Sequence, residues 1–245
     1  MPSFAGVDFI DFDSQLNDEE KLVRHTARQF VDKEVLPIIE KHSREATFPM
    51  HLVAQLGELG FFGANLQSYG CAGMSNVAYG LVTQELERGD SGLRSFVSVQ
   101  SALVMYPIYT FGSDAQKEKW LPKLGSGEAI GCFGLTEPQF GSNPGGMLTR
   151  AVKQGNRYVL NGEKMWITNG SLADVAVVWA KCEDDKVRGF LVEKGTPGYT
   201  AWDVHGKWSL RASVTSGLAM NDCEIPDENL LPGVTGLRGP LSCLN

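Results

Sequence analysis

Two segments of the chain combine hydroxyl, acidic and aromatic side chains with glycine, a combination that suits ligand binding. The first segment, residues 131–142, is a short apolar run that breaks into Thr136, Glu137 and Gly141 before ending at Ser142. Small hydroxyl residues beside glycines let backbone N–H groups approach a ligand closely. This segment therefore predicts a loop that contacts a phosphate or the edge of a flat ring.

The second segment, residues 161–169, reads N-G-E-K-M-W-I-T-N and places Trp166 and Thr168 two positions apart. In a β-strand these two side chains share one face, so an indole and a hydroxyl could contact one planar ligand together. Each segment alone also fits a strand with a core tryptophan and a Pro-Gly loop, because short motifs match by chance.

A third candidate is a helix predicted over residues 91–111. It is apolar over most of its circumference, which predicts deep burial. Its polar residues fall three or four apart and form a line, namely Ser91, Arg94, Ser95, Ser98 and Ser101. A buried arginine needs a partner for its charge. That partner is either an internal salt bridge, with Glu87 as the nearby acid, or a bound ligand, and the residues alone leave both open.

The residues before position 128 predict helices. After an irregular arm over residues 1–16, Asn17 and Glu20 form a capping box that opens the first helix, and Pro37 should kink or end it. The remaining helices are predicted over 49–59, over 76–88, and from a capping box at Ser113 and Gln116 to a close near Pro122 and the linker 125–127.

The residues after position 128 predict strands instead. Turn residues separate alternating apolar runs, which is typical of antiparallel hairpins. The predicted strands cover residues 148–152, 157–160, 175–181, 187–193 and 218–225. The fold class is therefore α+β, with an all-α helical domain over 1–128 followed by a small antiparallel β domain over 129–236.

Composition and charge argue against several classes of partner. With 42% hydrophobic and 21% charged residues, the chain has the composition of an ordinary globular protein. Its net charge of -7 argues against nucleic acid or an anionic membrane as partner. Five cysteines without a CxxC pair argue against zinc and against a disulfide framework. An acidic N-terminus is unlike a signal or transit peptide, so we expect a cytoplasmic, bacterial protein with no metal.

Taken together and in this order, the segments resemble the acyl-CoA dehydrogenase family of flavoenzymes, and the similarity runs over about residues 16–245. It is closest to the glutaryl-CoA dehydrogenase branch, through C-F-G-L-T-E-P, W-I-T-N, R-G-F-L-V-E-K and G-K-W-S-L-R-A-S. The resemblance implies FAD as cofactor, and oxidative decarboxylation of glutaryl-CoA to crotonyl-CoA in lysine and tryptophan degradation. It also implies electron-transfer flavoprotein as electron acceptor and a homotetramer when full length. The alternatives are a short-chain monocarboxylic acyl-CoA dehydrogenase, or an inactive truncated fragment that binds flavin or acyl-CoA.

The resemblance assigns roles residue by residue. The flavin contacts that it implies are Phe133, Leu135, Thr136, Ser142, Trp166, Ile167 and Thr168. The substrate contacts that it implies are Glu87, Arg94, Ser95, Ser98, Ser142, Leu241 and Asn245. Within the second set, Arg94 and its serine neighbours would receive the far carboxylate of a dicarboxylic acyl group.

The chain departs from the family pattern in two ways. Phe140 and Asn143 stand where the family usually has a small residue and an aspartate, which puts the loop around Ser142 in doubt. Family members also continue into a second helical domain that carries the catalytic glutamate, whereas residues 237–245 correspond only to its start. We therefore expect no general base in this chain, since Glu137 belongs to the flavin loop of the family and has no role in proton removal.

Overall fold

The computed structural model describes residues 9–244. Part of the predicted irregular arm, residues 1–8, and the predicted substrate contact Asn245 lie outside the described residues. The described end of the arm contains one short 3-10 turn, Phe12–Gln15. Among the described residues, no helix combines the length and apolarity that crossing a bilayer requires.

The first half of the described chain is helical. Its helices are α1 Asp18–Phe30, α2 Leu36–Glu45, α3 Leu52–Glu58, α4 Asn76–Gly89, α5 Ser91–Ser98, α6 Tyr106–Phe111 and α7 Asp114–Ser126. The predicted capping boxes at Asn17 and Ser113 are both present and open α1 and α7. In each box the cap side chain satisfies an N–H group that the helix leaves unpaired.

Two of the predicted helices contain segments with π-type hydrogen bonding. Val31–Val35 joins α1 to α2, so the run predicted to kink at Pro37 changes its winding just before that proline. Val99–Met105 joins α5 to α6 in the middle of the predicted 91–111 helix. Helix α7 closes in the predicted linker 125–127: it runs through Pro122, which does not end it, to Ser126 and is capped by Gly127 in the left-handed conformation.

The second half of the described chain forms a seven-stranded mixed sheet. Its strands are β1 Gly131–Gly134, β2 Arg150–Gln154, β3 Arg157–Thr168, β4 Val175–Lys181, β5 Val187–Glu193, β6 Tyr199–Asp203 and β7 Thr215–Pro226. The two predicted hairpins are the antiparallel pairs β2–β3 and β4–β5. Strand β6 was not predicted, and the purely antiparallel expectation needs a correction, since β1 lies parallel to β4. A last short helix, α8 Arg238–Ser242, follows the sheet.

Strand β4 packs against the helices on one of its faces and against the rest of the sheet on the other. All but its last residue are buried, and alternate side chains enter two different cores. Val177 and Trp179 pack with the helices, whereas Ala176 and Val178 pack within the sheet. This period of two is that of a strand buried on both faces.

Gln100 joins the helical layer to β1. Its side chain is fully buried, and Nε2 donates to the carbonyl oxygens of Leu124 at 2.9 Å and Ala129 at 2.8 Å. Its Oε1 accepts from the backbone N–H of Gly131 at 2.9 Å. One side chain therefore satisfies three backbone groups where α7 ends and β1 begins.

We predict that Gln100→Leu lowers the free energy of unfolding by about 3 kcal/mol or more. The substitution keeps the volume but leaves three backbone groups without a partner, and each unpaired buried group costs about 1–3 kcal/mol. Urea denaturation followed by circular dichroism measures the loss. Gln84→Leu, at an exposed position on α4, is the control and should change stability little. Equal stability of the two variants would contradict the assigned role of Gln100.

Candidate functional site

A hollow of about 170 Å³ opens where the ends of β1 and β3 meet the helices. It is lined by Val99, Leu103, Phe133, Leu135, Thr136, Trp166, Ile167, Thr168 and Leu244. The structure thus brings together six of the seven residues that were predicted to contact flavin, all except Ser142. Their contact with a cofactor stays a prediction.

Strand β1 supplies one wall of the hollow. Its four residues are buried, and the ring of Phe133 packs edge-on against the buried Trp179, with centroids 6.1 Å apart. Behind it, Gly131 lies so close to the helical layer that an added Cβ would come within 2.3 Å of the Val104 side chain. Close packing on both sides fixes the direction in which the chain leaves β1 toward Leu135 and Thr136.

Trp166 supplies another part of the lining from a strained backbone. Its φ is 64°, a left-handed value that a bulky side chain rarely adopts, and the β3–β7 register shifts between Lys164 and Ile167. The indole is 62% exposed. The sequence predicted that Trp166 and Thr168 share a face through regular alternation, but a bulge brings Ile167 to the hollow as well. Strain that the fold maintains around an exposed aromatic ring is a common mark of a ligand site.

Thr168 presents a hydroxyl at the edge of the hollow. Its backbone pairs with Thr215 of β7, which fixes the position of the residue. Within residues 9–244, no side-chain hydrogen bond uses the Thr168 hydroxyl. The group is therefore available to a ligand that lies against the Trp166 indole.

A buried ion pair lies behind the hollow. Lys164 Nζ donates to Glu137 Oε1 at 2.9 Å and to the Leu135 carbonyl at 3.1 Å, and the Lys164 side chain is fully buried. Glu137 also accepts from the backbone N–H groups of Leu148 at 2.6 Å and Thr149 at 3.0 Å, and from the Thr149 hydroxyl at 2.6 Å. These bonds hold the loop after β1 against the beginning of β2 and the middle of β3.

The ion pair shifts the pKa of both partners. Burial lowers the pKa of Lys164 to about 8, against the opposing effect of the Glu137 carboxylate. Burial alone would raise the pKa of Glu137, but the Lys164 ammonium and the bonds from Leu148 and Thr149 outweigh it and hold that pKa below the ordinary value. Glu137 is therefore ionised, fully engaged by donors and unsuited to removing a proton from a substrate.

Ser142 lies on the exposed loop that follows Glu137, outside the lining of the hollow. The two residues that depart from the family pattern shape this loop. The ring of Phe140 covers Gly146 so closely that an added Cβ would come within 2.3 Å of it. Asn143 is exposed and precedes the 3-10 turn Pro144–Gly146. The structure therefore places Ser142 apart from the other predicted flavin contacts.

Arg94 lies on α5 beside an open groove of about 430 Å³. Its Nε donates to Glu87 Oε2 at 2.7 Å and its Nη1 to the Ser98 hydroxyl at 3.3 Å. The expectation of deep burial is wrong for this residue, since the side chains of Arg94 and Glu87 are 37% and 45% exposed. The internal salt bridge that the sequence left open is thus formed, on a face that a ligand can reach.

The other serines of the predicted polar line divide into two groups. Ser91 donates to Glu87 and lines the groove. Ser95 is partly buried outside that lining, and its carbonyl accepts from the Ser98 hydroxyl at 3.1 Å. Ser101 instead is buried, accepts from the Gly63 N–H at 2.9 Å and donates to the Phe61 carbonyl at 3.4 Å. Ser101 therefore serves the packing of the helical layer.

Sequence reasoning missed three lining residues of the hollow. Val99 and Leu103 follow Ser95 at intervals of four and therefore lie along one side of the helix. This spacing could have predicted them, but only the polar residues of the helix were considered as ligand contacts. Leu244 also lines the hollow, whereas the predicted contact Leu241 is 45% exposed outside it. Spacing around α8 gave no sign of that difference.

Comparison with known proteins supports this architecture. Residues 17–128 match the family "Acyl-CoA dehydrogenase, N-terminal domain". Residues 132–223 match the family "Acyl-CoA dehydrogenase, middle domain". The chain belongs to the acyl-CoA dehydrogenase family.

Solved structures and curated relatives agree with this assignment. A glutaryl-CoA dehydrogenase from Mycobacterium smegmatis, solved in complex with FADH2, is 54% identical with a TM-score of 0.97, covering 99% of this chain and 63% of that one. Butyryl-CoA dehydrogenase from Megasphaera elsdenii is 33% identical with a TM-score of 0.86, covering 96% and 62%. The short-chain specific acyl-CoA dehydrogenase of Rattus norvegicus is 37% identical over 90% of this chain and 55% of its own length. This acyl-CoA dehydrogenase chain thus spans somewhat more than half of its relatives.

We predict that Glu137→Gln makes this family member less sensitive to acid. Because the folded pKa of Glu137 lies below the ordinary 4.5, its contribution to stability is fully present above that value and is lost as pH falls through the folded pKa. The variant should be less stable than the wild type at pH 6 but should lose less stability between pH 6 and pH 3. Urea denaturation at both pH values measures this, with Glu163→Gln, an exposed position on β3, as control. An unchanged pH dependence would contradict the assignment.

Proposed function

We propose that this chain supplies the flavin-contacting and acyl-binding surfaces of an FAD-dependent dehydrogenase for short dicarboxylic acyl-CoA thioesters. Glutaryl-CoA is the proposed substrate, crotonyl-CoA the product after decarboxylation, and electron-transfer flavoprotein the electron acceptor. The single observation that carries the proposal is the position of Arg94 on the same helical run as Val99 and Leu103, which line the hollow.

The hollow fits the isoalloxazine ring of FAD. Its walls are apolar or aromatic, as in most cofactor sites, and the exposed Trp166 indole offers a flat surface beside the available Thr168 hydroxyl. Bound FAD would supply the acceptor for the hydride that leaves the β carbon of the substrate. The residues of this chain would orient the ring: Trp166 and Phe133 by packing, and Thr168 by a hydrogen bond.

The spacing along the helix suits a dicarboxylate. Val99 follows Arg94 by five positions, an axial rise of about 7.5 Å for an α-helix. We propose that a five-carbon diacid chain with its thioester end at the hollow extends its far carboxylate toward Arg94. The guanidinium fork would bind the carboxylate through charge-assisted bonds, and the Ser98 hydroxyl, already 3.3 Å from Nη1, lies beside that position.

A short-chain monocarboxylic acyl-CoA substrate is the second candidate. The Arg94–Glu87 pair is complete without a ligand, so a purely structural role for Arg94 is consistent with the geometry. The similarity to butyryl-CoA and short-chain specific dehydrogenases also favours it. The two candidates differ in whether Arg94 binds the substrate and so affects its turnover, or only forms an ion pair with Glu87.

We predict that Thr168→Val raises the dissociation constant of FAD for this chain by about 2- to 10-fold, the effect of losing one hydrogen bond worth about 0.5–1.5 kcal/mol. Flavin fluorescence titration measures the constant. Thr200→Val, at an exposed position on β6, is the control and should bind FAD as the wild type does. Unchanged affinity in Thr168→Val would remove the hydroxyl from the proposed flavin contacts.

We predict that Arg94→Met, in the chain extended to the length of its relatives, lowers kcat/KM for glutaryl-CoA by about 30-fold or more, since removing one partner of a charge pair in a binding site costs about 2–5 kcal/mol. Turnover of butyryl-CoA should stay near the wild-type rate. The exposed Arg94–Glu87 pair is worth only about 0–1 kcal/mol of folding stability, so unfolding should not obscure the result.

Arg150→Met provides the matched control, because Arg150 also forms an exposed ion pair, with Asp185 at 2.7 Å, and neither residue lines the hollow or the groove. It should leave the turnover of both substrates unchanged. A parallel loss of glutaryl-CoA and butyryl-CoA turnover in Arg94→Met would instead favour the structural role of Arg94 and the second candidate.

A further inference from the structure

The two walls of the hollow lie on strands that are not neighbours in the sheet. Strand β1 pairs with β4, and β3 pairs with β2 and β7. No strand ladder therefore sets the distance between the segment that follows β1 and the bulged end of β3. Some other contact must fix how these two segments lie against each other.

Two contacts span this gap. The backbone N–H of Met165 donates to the Thr136 carbonyl at 2.9 Å. Beside it, Lys164 crosses beneath β1 and reaches Glu137 and the Leu135 carbonyl. Gly134 leaves room for this crossing, since an added Cβ there would come within 3.3 Å of the lysine stem.

Stability alone does not explain a charged pair at this place. Replacing a buried ion pair with apolar residues of similar volume is often neutral or stabilising, so such a pair is weak support for a purely energetic role. A pair that is fully enclosed and joined to three chain segments instead fixes one arrangement of those segments. Here the arrangement is the separation of Thr136 from Trp166.

We propose that Lys164 and Glu137 are positioning residues of the cofactor site, which hold the segment from Leu135 to Glu137 at a set distance from the end of β3. Neither side chain lines the hollow; they act through Leu135, Thr136 and Trp166. The inference rests on the proposed binding of FAD to this hollow. It adds a role for the charged pair that the wall residues do not themselves provide.

Two measurements on this chain test the proposal. The hydrogen bonds that join the Leu135–Glu137 segment to β3 and to the residues before β2 are called the clamp. Amide hydrogen exchange without FAD reports this clamp, through the N–H groups of Leu148, Thr149 and Met165. Titration with FAD reports its consequence for the cofactor. The variants are Lys164→Met, the milder Glu137→Gln, which keeps the shape of the side chain, and the double variant, which leaves no unpaired charge.

We expect Lys164→Met to lose protection at all three amides and to weaken FAD binding by about 10- to 100-fold. That is the range found when residues that orient the ligands of metal sites are replaced. Glu137→Gln should weaken binding less, and the double variant should fall between the two. No variant replaces Trp166 or Thr168, so a loss of FAD affinity reports a change in how these residues lie relative to Thr136.

Glu85→Gln is the matched control. Glu85 is also buried and ion-paired, with Arg28 at 2.6 Å and Arg88 at 2.9 Å, but it lies in the helical layer away from the hollow. It should lower stability while leaving FAD affinity and the three amides within twofold of wild type. An equal loss of FAD affinity in Glu85→Gln and Lys164→Met would overturn the positioning role, as would wild-type affinity in Lys164→Met.

A wild-type chain that binds no FAD would contradict the proposed flavin function and leave the clamp to be decided by exchange. Lost protection in Lys164→Met but not in Glu85→Gln would then support the positioning of the loop. Unchanged protection in Lys164→Met would overturn it. The two proposals can therefore fail separately.

Discussion

The contact between β1 and the π-type segment Val99–Met105 determines the geometry of the whole site. Gly131 has no side chain, so Val104 can lie directly against the strand, and Gln100 satisfies the backbone groups that this close approach would otherwise leave unpaired. The same contact carries Val99 and Leu103 to the rim of the hollow. Residues of the helical layer and of the sheet therefore line one hollow because β1 packs directly against Val99–Met105.

Within the sheet, the site depends on irregular backbone held by regular surroundings. The bulge at Trp166 departs from strand geometry, yet it is followed at once by the paired residues Ile167 and Thr168. The buried Lys164 precedes it by two positions and is fixed by Glu137. A strained residue persists only where its neighbours over-determine its position, and here ladder bonds on one side and an ion pair on the other provide that constraint.

The sequence predicted the elements better than their irregularities. Capping boxes at Asn17 and Ser113 and the two hairpins follow from local hydrogen bonding and alternation, which act over a few residues. Of the six proposed flavin contacts in the hollow, three lie at the end of β3, which belongs to a predicted hairpin, and the other three lie on β1 or directly after it. The partner of Lys164 was not foreseen, since Glu137 is 27 residues away in sequence and no periodicity relates a loop to a strand. Helix α7 likewise continues through Pro122 to the predicted linker, because tertiary packing outweighs local propensity there.

The polar line from Ser91 to Ser101 shows how one local change redirects a pattern. A period of 3.6 residues places Arg94, Ser98 and Ser101 on one side of a helix. In the structure the line ends at Ser98, because the π-type turns that begin at Val99 alter the rotation per residue, and π-type segments often occur at functional sites. Ser101 accepts from the Gly63 N–H inside the helical layer, whereas the apolar Val99 and Leu103 line the hollow. The result is one helical run with the charged Arg94 toward its beginning and the apolar Val99 and Leu103, which line the hollow, further along.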